Sequence, residues 1–363
     1  MKIKLKLLLF LLLYFITSCK DRPISSITEL FNAPQSIKHQ TVEISNFSTN
    51  VLNPVASLVH GNLLILLDVQ SPISFSAVDL KQGRYIKSWG KRGEGPGEII
   101  GIMDFYSNYT EKGINYWDAM LKRLYFCSYD SLLFESEIIN VNLIENIKNK
   151  ELFNHFFPNV LQIRESLFLG IGDSGDKRFS IINTEQNTIT QTGDYPLQDK
   201  ISGVQPFVKA SAYNGFIRFN AGKKRIAYIS RNSEMFEIFD ISTTELKLFY
   251  GNYTTIPKYQ QISSNMGITV KTDYYTNGRN ICVSTTDDYI FILGKPHNVN
   301  IDKENVQKAT DTVNQVFMFD WDGRPIAHYL LDCNLTSISA TEDSKRLYGI
   351  LNEEEARIVY FDL

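Results

Sequence analysis

Histidine and cysteine are scarce in this chain of 363 residues, at five and four. There is no HExxH and no CxxC pair, so the sequence offers no strong zinc site. Gly172-Asp173-Ser174-Gly175 would suit a serine nucleophile only with a histidine base and an orienting acid in matching contexts. His39, His60, His155, His297 and His328 have no such surroundings, and the tetrapeptide reads as a hairpin loop. No basic block is present, which argues against a nucleic-acid partner. Long apolar runs are missing too. The longest, Leu7–Phe15, falls short of the about 20 residues that a spanning helix needs.

What the N-terminus does have is an ordered series of signals. Lys2, Lys4 and Lys6 precede the apolar run, and Ile16-Thr17-Ser18-Cys19 ends it. This pattern describes a bacterial secretory signal over residues 1–18. The cysteine at the cut site resembles the lipobox of bacterial lipoproteins. That resemblance implies cleavage before Cys19, acyl chains such as palmitate on Cys19, and a globular body anchored to a membrane. The expected location is the cell envelope, the outer membrane rather than the inner. Lys20-Asp21 faintly resembles the charged signals that send Bacteroidetes lipoproteins to the cell surface, so the periplasmic and surface sides both stay open. Loss of three lysines with the signal takes the formal charge from −3 to about −6. Residues 19–36, with Pro23, Pro34 and several serines, read as a lipidated tether. The remaining cysteines are Cys127, Cys282 and Cys333, an odd number that cannot all pair. Each lies in or beside an apolar run and is expected to be a small buried hydrophobe. A Cys282–Cys333 bridge stays open in an oxidising compartment.

The body, residues 37–363, reads as strands almost throughout. Runs such as Leu63–Asp68, Gly113–Trp117, Arg225–Ile229 and Arg346–Leu351 alternate with turn residues. Only Asn142–Phe157 looks helical, with Ile144, Ile147, Glu151 and Phe153 at helix-like spacing. A repeat runs through the strands. A strand ends on a polar marker, a loop follows, and a second strand carries a tag such as "SAVDL" or "FEIFDI". The markers are Asp68, Asp118, Asp173, Arg231, Asp287 and Glu353, spaced by 50 to 66 residues. Six such units predict an all-β fold, a six-bladed β-propeller of four-stranded blades. The chain stops just after a third strand, so the alternating segment Lys38–Ser45 is expected to supply the outer strand of the last blade and close the ring.

Two stretches carry a family resemblance. Trp89–Ile99, "WGKRGEGPGEI", looks like a G-x-G-P-G-E junction of six-bladed propeller lipoproteins of Bacteroidetes. Val316–Gly323, "VFMFDWDG", with "LLD" at 330–332 and "SISATEDSKRLYGI" at 337–350, resembles the last two blades of the TolB-like six-bladed propeller family. The resemblance covers about residues 38–363 and implies blade geometry. It brings no catalytic residues with it.

Several motifs tempt a chemical reading. The "GKRGEGPGE" loop could cradle a phosphate if a helix followed it. A strand-like "IIGIMDF" follows instead, so the loop reads as a tight blade-to-blade link. Asp320-Trp321-Asp322-Gly323 begins like a calcium loop but lacks the later ligands, and reads as a hairpin turn. Asp130-Ser131-Leu132 and Asp311-Thr312-Val313 resemble Bacteroidetes O-glycosylation sites, which makes Ser131 and Thr312 candidates. In a propeller the loops after each second strand share a face with the blade-to-blade links. Asp68, Asp118, Asp173, Asp287 and Glu353 are therefore expected to gather on one face, with Arg92, Glu94 and Glu98 nearer the channel. Such a rim could bind a divalent cation or sugar hydroxyls, or simply make good turns. No cofactor is otherwise implied. The expected function is a lipid-anchored binding or scaffold module for a protein, peptide or glycan of the envelope, with 252–268 and 295–314 as candidate contact loops. The alternative is a metal-dependent hydrolase or lyase, lactonase-like, with its metal in the channel.

Overall fold

The computed structural model describes residues 26–45, 47–95, 97–108, 112–133, 141–143, 156–172, 176–196, 204–241, 245–264, 267–272, 278–295 and 313–363. Two short strands come first, β1 (Gln35–Ile37) and β2 (Gln40–Val42). Blade one follows as β3–β6 (Pro54–His60, Leu63–Asp68, Ile73–Asp79, Arg84–Lys91), and blade two as β7–β10 (Ile102–Asn108, Gly113–Asp118, Arg123–Ser128, Val141–Leu143). Blade three is β11–β14 (Asn159–Arg164, Leu167–Ile171, Phe179–Asn183, Thr188–Thr192), and blade four β15–β18 (Gly215–Asn220, Arg225–Ser230, Phe236–Asp240, Lys247–Asn252). A separate hairpin, β19–β20 (Tyr259–Ser264, Gly267–Thr272), precedes blade five, β21–β24 (Arg279–Thr285, Tyr289–Lys295, Gln315–Asp320, Pro325–Leu331). Blade six is β25–β27 (Ser337–Ala340, Arg346–Asn352, Ala356–Asp362), with β2 as its outer strand. Among the described residues no helix is long and apolar enough to cross a membrane.

Hydrophobic patterning explains the ring. The second strand of each blade is covered on both sides, so it reads as a continuous apolar run; Leu63-Leu64-Ile65-Leu66-Leu67 is buried throughout. Its side chains still alternate. Ile65 and Leu67 pack with Phe75, Tyr116 and Tyr125 toward blade two, while Leu64 and Leu66 pack with Ile350 and Ile358 toward blade six. The same division recurs around the ring, and each of the six wedges between neighbouring blades holds one apolar cluster. Truncating Ile65 or Leu66 to alanine would cost about 2–5 kcal/mol, the lost burial plus the cavity left behind.

Inner strands have open edges, and a repeated device satisfies them. The Val59 N–H donates to Ser339 Oγ at 2.7 Å, Ala340 N–H to Ser284 Oγ at 2.9 Å and Gln162 N–H to Tyr106 Oη at 2.8 Å. In each pair a side chain of the preceding blade accepts from the next blade's inner strand. Backbone donors that would otherwise face the axis without partners are thereby paired.

The closure is more extensive than the sequence suggests. β2 pairs antiparallel with β27, Gln40 opposite Tyr360, as expected for Lys38–Ser45. β1 adds a fifth, parallel strand to blade five, Gln35 opposite Tyr329. The segment from Ser26 onward, expected as free tether, lies on the ring. Ile27 is buried among Phe216, Phe236 and Trp321, and Phe31 packs edge-on to Phe319 at 5.1 Å. Buried Glu234 accepts from the Ser26 hydroxyl and the Ile27 N–H at 3.2 and 3.0 Å.

The helix expected over Asn142–Phe157 is corrected at both ends. Val141–Leu143 forms the outer strand of blade two, and Phe156 and Phe157 lie outside any helix, with the Phe157 carbonyl accepting from Trp117 Nε1 at 2.8 Å. Residues 144–155 lie outside the described residues. The candidate loop 252–268 carries β19 and the start of β20; Ile256 and Tyr259 pack against the cluster between blades three and four. The open question of a Cys282–Cys333 bridge is also answered, since both are free thiols. Cys282 sits on the inner strand of blade five and Cys333 beyond its outer strand. Three strand spacings, roughly 14 Å, separate such positions, twice the reach of a disulfide.

Candidate functional site

The inner strands of all six blades converge on an axial cavity. Its lining comes from their C-terminal halves, so it opens on the face that carries the turns between first and second strands. Ser57, Gln162, Arg164, Arg218, Ser284 and Ser339 are among its polar lining residues. Gln162 Oε1 accepts from Asn115 and Asn108 Nδ2 at 2.7 and 3.3 Å, which locks its amide. Arg218, on blade four, is gripped by Asp104 of blade two through two hydrogen bonds of 2.6 and 3.0 Å. Asn159 of blade three donates to the same carboxylate at 3.2 Å. This buried pair links three inner strands across the axis. The cavity encloses ≈ 90 Å³. Ordinary small-molecule sites are about 300–1,000 Å³, so this one has room for a single small group.

The predicted acidic rim has a different character. Asp68 and Asp118 are wholly buried. One oxygen of Asp68 accepts the Gln70 and Ser71 N–H groups, both at 2.9 Å, and the other those of Leu52 and Asn53 at 2.6 and 3.0 Å. Asp118 repeats this on Met120, Leu121 and Ile100 at 3.0, 2.9 and 2.6 Å. Each carboxylate clamps its own turn to the link that enters its blade. Neither presents an oxygen to solvent.

The remaining predicted residues divide by face. Arg92 donates to the carbonyls of Ser71 and Val69 at 3.0 and 2.6 Å, bracing the same turn of blade one. Glu94 is exposed. Glu98 accepts from Gly95 N–H at 2.9 Å and pairs with Lys91 at 3.0 Å, and these contacts hold its carboxyl below the ordinary range. The Glu98 carboxylate lies over Gly93, whose φ of +154° and missing Cβ leave it room. An anion of the chain itself thus fills the glycine loop, which leaves no cradle for phosphate. Glu353 is exposed on the link face and pairs with Arg357 at 2.6 Å. Asp287 is corrected to the opposite face. It lies in the turn between β21 and β22, by the axial cavity, and its carbonyl accepts from Asn220 Nδ2 at 2.8 Å. Ser131 lies on a short helix, Tyr129–Leu133, beside exposed Asp130. Cys19, Asp173 and Thr312 lie outside the described residues, as does 296–312 of the second candidate loop.

Among the described residues one group of three metal-type donors stands close together: His39, Asp332 and Cys333. It sits on the outer rim, where the chain crosses from β1 to β2, and not on the axis. The Asp332 carboxylate accepts from the His39 backbone and faces its Nδ1, at 3.1 and 3.0 Å. Burial pushes the Cys333 thiol up to about 11, where it resists ionisation.

Sequence reasoning missed Asp104, Arg164 and Arg218. A charged residue inside an otherwise apolar inner strand was the available signal, in "IMDFY" and "GFIRF".

Six blades, one of them widened to five strands by β1, around a polar axial cavity define the class: a closed six-bladed propeller with an N-terminal clasp. The chain belongs to the family described as TolB-like 6-blade propeller-like, whose model matches residues 33–343. Two solved structures share the fold. One is a protein from Bacteroides fragilis described as exported, 13% identical, covering 91% of this chain and 99% of its own, with a TM-score of 0.53. The other is a member of the DUF4221 family from Bacteroides vulgatus, 9% identical, covering 94% and 98%, with a TM-score of 0.54. No curated protein matches the chain.

Proposed function

We propose that this protein is an envelope propeller, lipid-anchored through Cys19, that binds a protein, peptide or glycan at the mouth of its axial cavity. The observation that carries the reading is the cavity itself. All six inner strands line it, Arg164 and the Asp104-paired Arg218 give it polar groups, and its ≈ 90 Å³ suits an inserted side chain or sugar substituent. The exported relative from Bacteroides fragilis supports an envelope location. The signal-like N-terminus supports an outer-membrane anchor, with the ring facing either the periplasm or the outside.

A photocrosslinking amino acid placed at Arg164, and separately at Glu353 on the other face, tests this in native membranes. The reading expects a discrete adduct from position 164 and none from position 353. Adducts from 353 alone would move the binding face; none from either would remove the partner. Mass spectrometry of the N-terminal peptide checks acylation of Cys19.

A further inference from the structure

We propose that the cavity between blades four and five, on the link face, binds an oxyanion, a carboxylate or phosphate group, through Arg231, with Arg279 beside it. The cavity holds ≈ 250 Å³. Arg231 comes from the turn after β16, Arg279 opens β21, and Val270 and Thr272 of the β19–β20 hairpin form another wall. Among the described residues its lining includes two arginines and no acid.

Arg231 is the reason to expect a ligand. Its guanidinium stacks over the Phe216 ring at 3.8 Å. Among the described residues no carboxylate pairs with it. Asp104 is near enough to be felt, but Arg218 and Asn159 already hold that carboxylate. Burial lowers the Arg231 pKa, with Asp104 opposing the shift. A guanidinium does not deprotonate in a protein, so the charge stays and its desolvation is only partly offset by an aromatic face. An oxyanion completes the site, because the planar fork of a guanidinium matches carboxylate and phosphate oxygens in pairs.

The walls are built to hold this opening. Asn232 Nδ2 donates to the Ser211 and Ala212 carbonyls at 3.3 and 2.8 Å. Asn280 Nδ2 donates to those of Ser230 and Ser233 at 2.8 and 2.9 Å. These amides fasten the turn that carries Arg231 to the helix Pro206–Ala212 on one side and to β21 on the other. Where blades one and two use an aspartate to clamp the entering link, blade four uses Asn232, and the adjacent arginine faces the cavity.

The test uses the full-length chain in detergent, with sodium phosphate and sodium succinate as probes against chloride at matched ionic strength. The proposal expects at least one probe to raise Tm saturably. It expects affinity by calorimetry to fall about tenfold or more in Arg231→Gln, the loss of a charge-assisted pair. Arg324→Gln, at an exposed arginine in the turn before β24, keeps the full response. A response to phosphate alone names a phosphate ligand, to succinate alone a carboxylate ligand, and to both a general oxyanion site. No response to either probe overturns the proposal, as does an undiminished response in Arg231→Gln. Should that variant fold poorly, Arg279→Gln reads the same loss, and an undiminished response there overturns it equally.

Discussion

Arg178 and Arg231 occupy the same kind of place in successive blades, the turn between second and third strands, Arg178 buried and Arg231 half-buried. Arg178 is met by a carboxylate. Glu237 of the next blade holds it at 2.5 and 3.0 Å, and Tyr253 Oη donates to the same carboxylate at 2.6 Å. Burial alone would lower the Arg178 pKa, yet the Glu237 charge more than reverses it. Arg231 has an aromatic face and no such partner among the described residues, and its pKa is lowered. Asp68 and Asp118 belong with Arg178, since every carboxylate oxygen is used within the fold. A repeated charged residue in a propeller turn therefore serves the ring when its partners are present. It becomes a candidate for a ligand where the repeat breaks and the partner is missing.

The largest effect expected on that contrast comes from its paired side. Glu237→Gln leaves Arg178 buried without a counter-charge and is expected to cost about 3–5 kcal/mol of stability by urea unfolding. Next comes Asp118→Ala, which strands the N–H groups of Ile100, Met120 and Leu121; roughly 3 kcal/mol is expected, with an unchanged urea m-value. A smaller, pH-dependent loss belongs to His328, buried against Phe317 and bonded to Gln315 Oε1 at 2.9 Å. Burial lowers its pKa, so the native state binds fewer protons than the unfolded state. Its stability contribution is whole above the ordinary histidine value of about 6.5 and is lost as pH falls below it. Melting curves from about pH 7.5 to about 5.5 should show Tm falling, with a shallower slope in His328→Asn. Smallest is Glu353→Gln, an exposed pair on the link face, expected to change stability by about 0.5 kcal/mol or less.

Six units and their strands were legible because each second strand is buried on both sides and its apolar run recurs at a near-regular spacing. Apart from β2, the outer elements were not. Val141–Leu143 is only three residues long, and in sequence it merges with Ile144 and Ile147, whose helix-like spacing hides it. β1 and the Ser26–Phe31 segment have too few apolar residues to announce themselves, and only the finished ring shows the grooves that take Ile27 and Phe31. Asp68 and Asp118 were legible as turn residues, but their position at a strand end does not reveal that the entering link consumes the second oxygen. Asp287 was misplaced because the marker series was counted by spacing, and the long stretch after β22 displaced the true turn of blade five. Asp104 and Arg218 are 114 residues apart, and only ring closure brings them together.

The most direct measurement is the unfolding free energy of Arg178→Gln and Arg231→Gln, side by side in chloride buffer without phosphate or carboxylates. The account predicts a loss of several kcal/mol for Arg178→Gln. Arg231→Gln should be as stable as the parent chain or more so, because it removes a half-buried charge that no carboxylate pairs with among the described residues. An equal loss in both variants would contradict the account and make Arg231 one more brace of the ring.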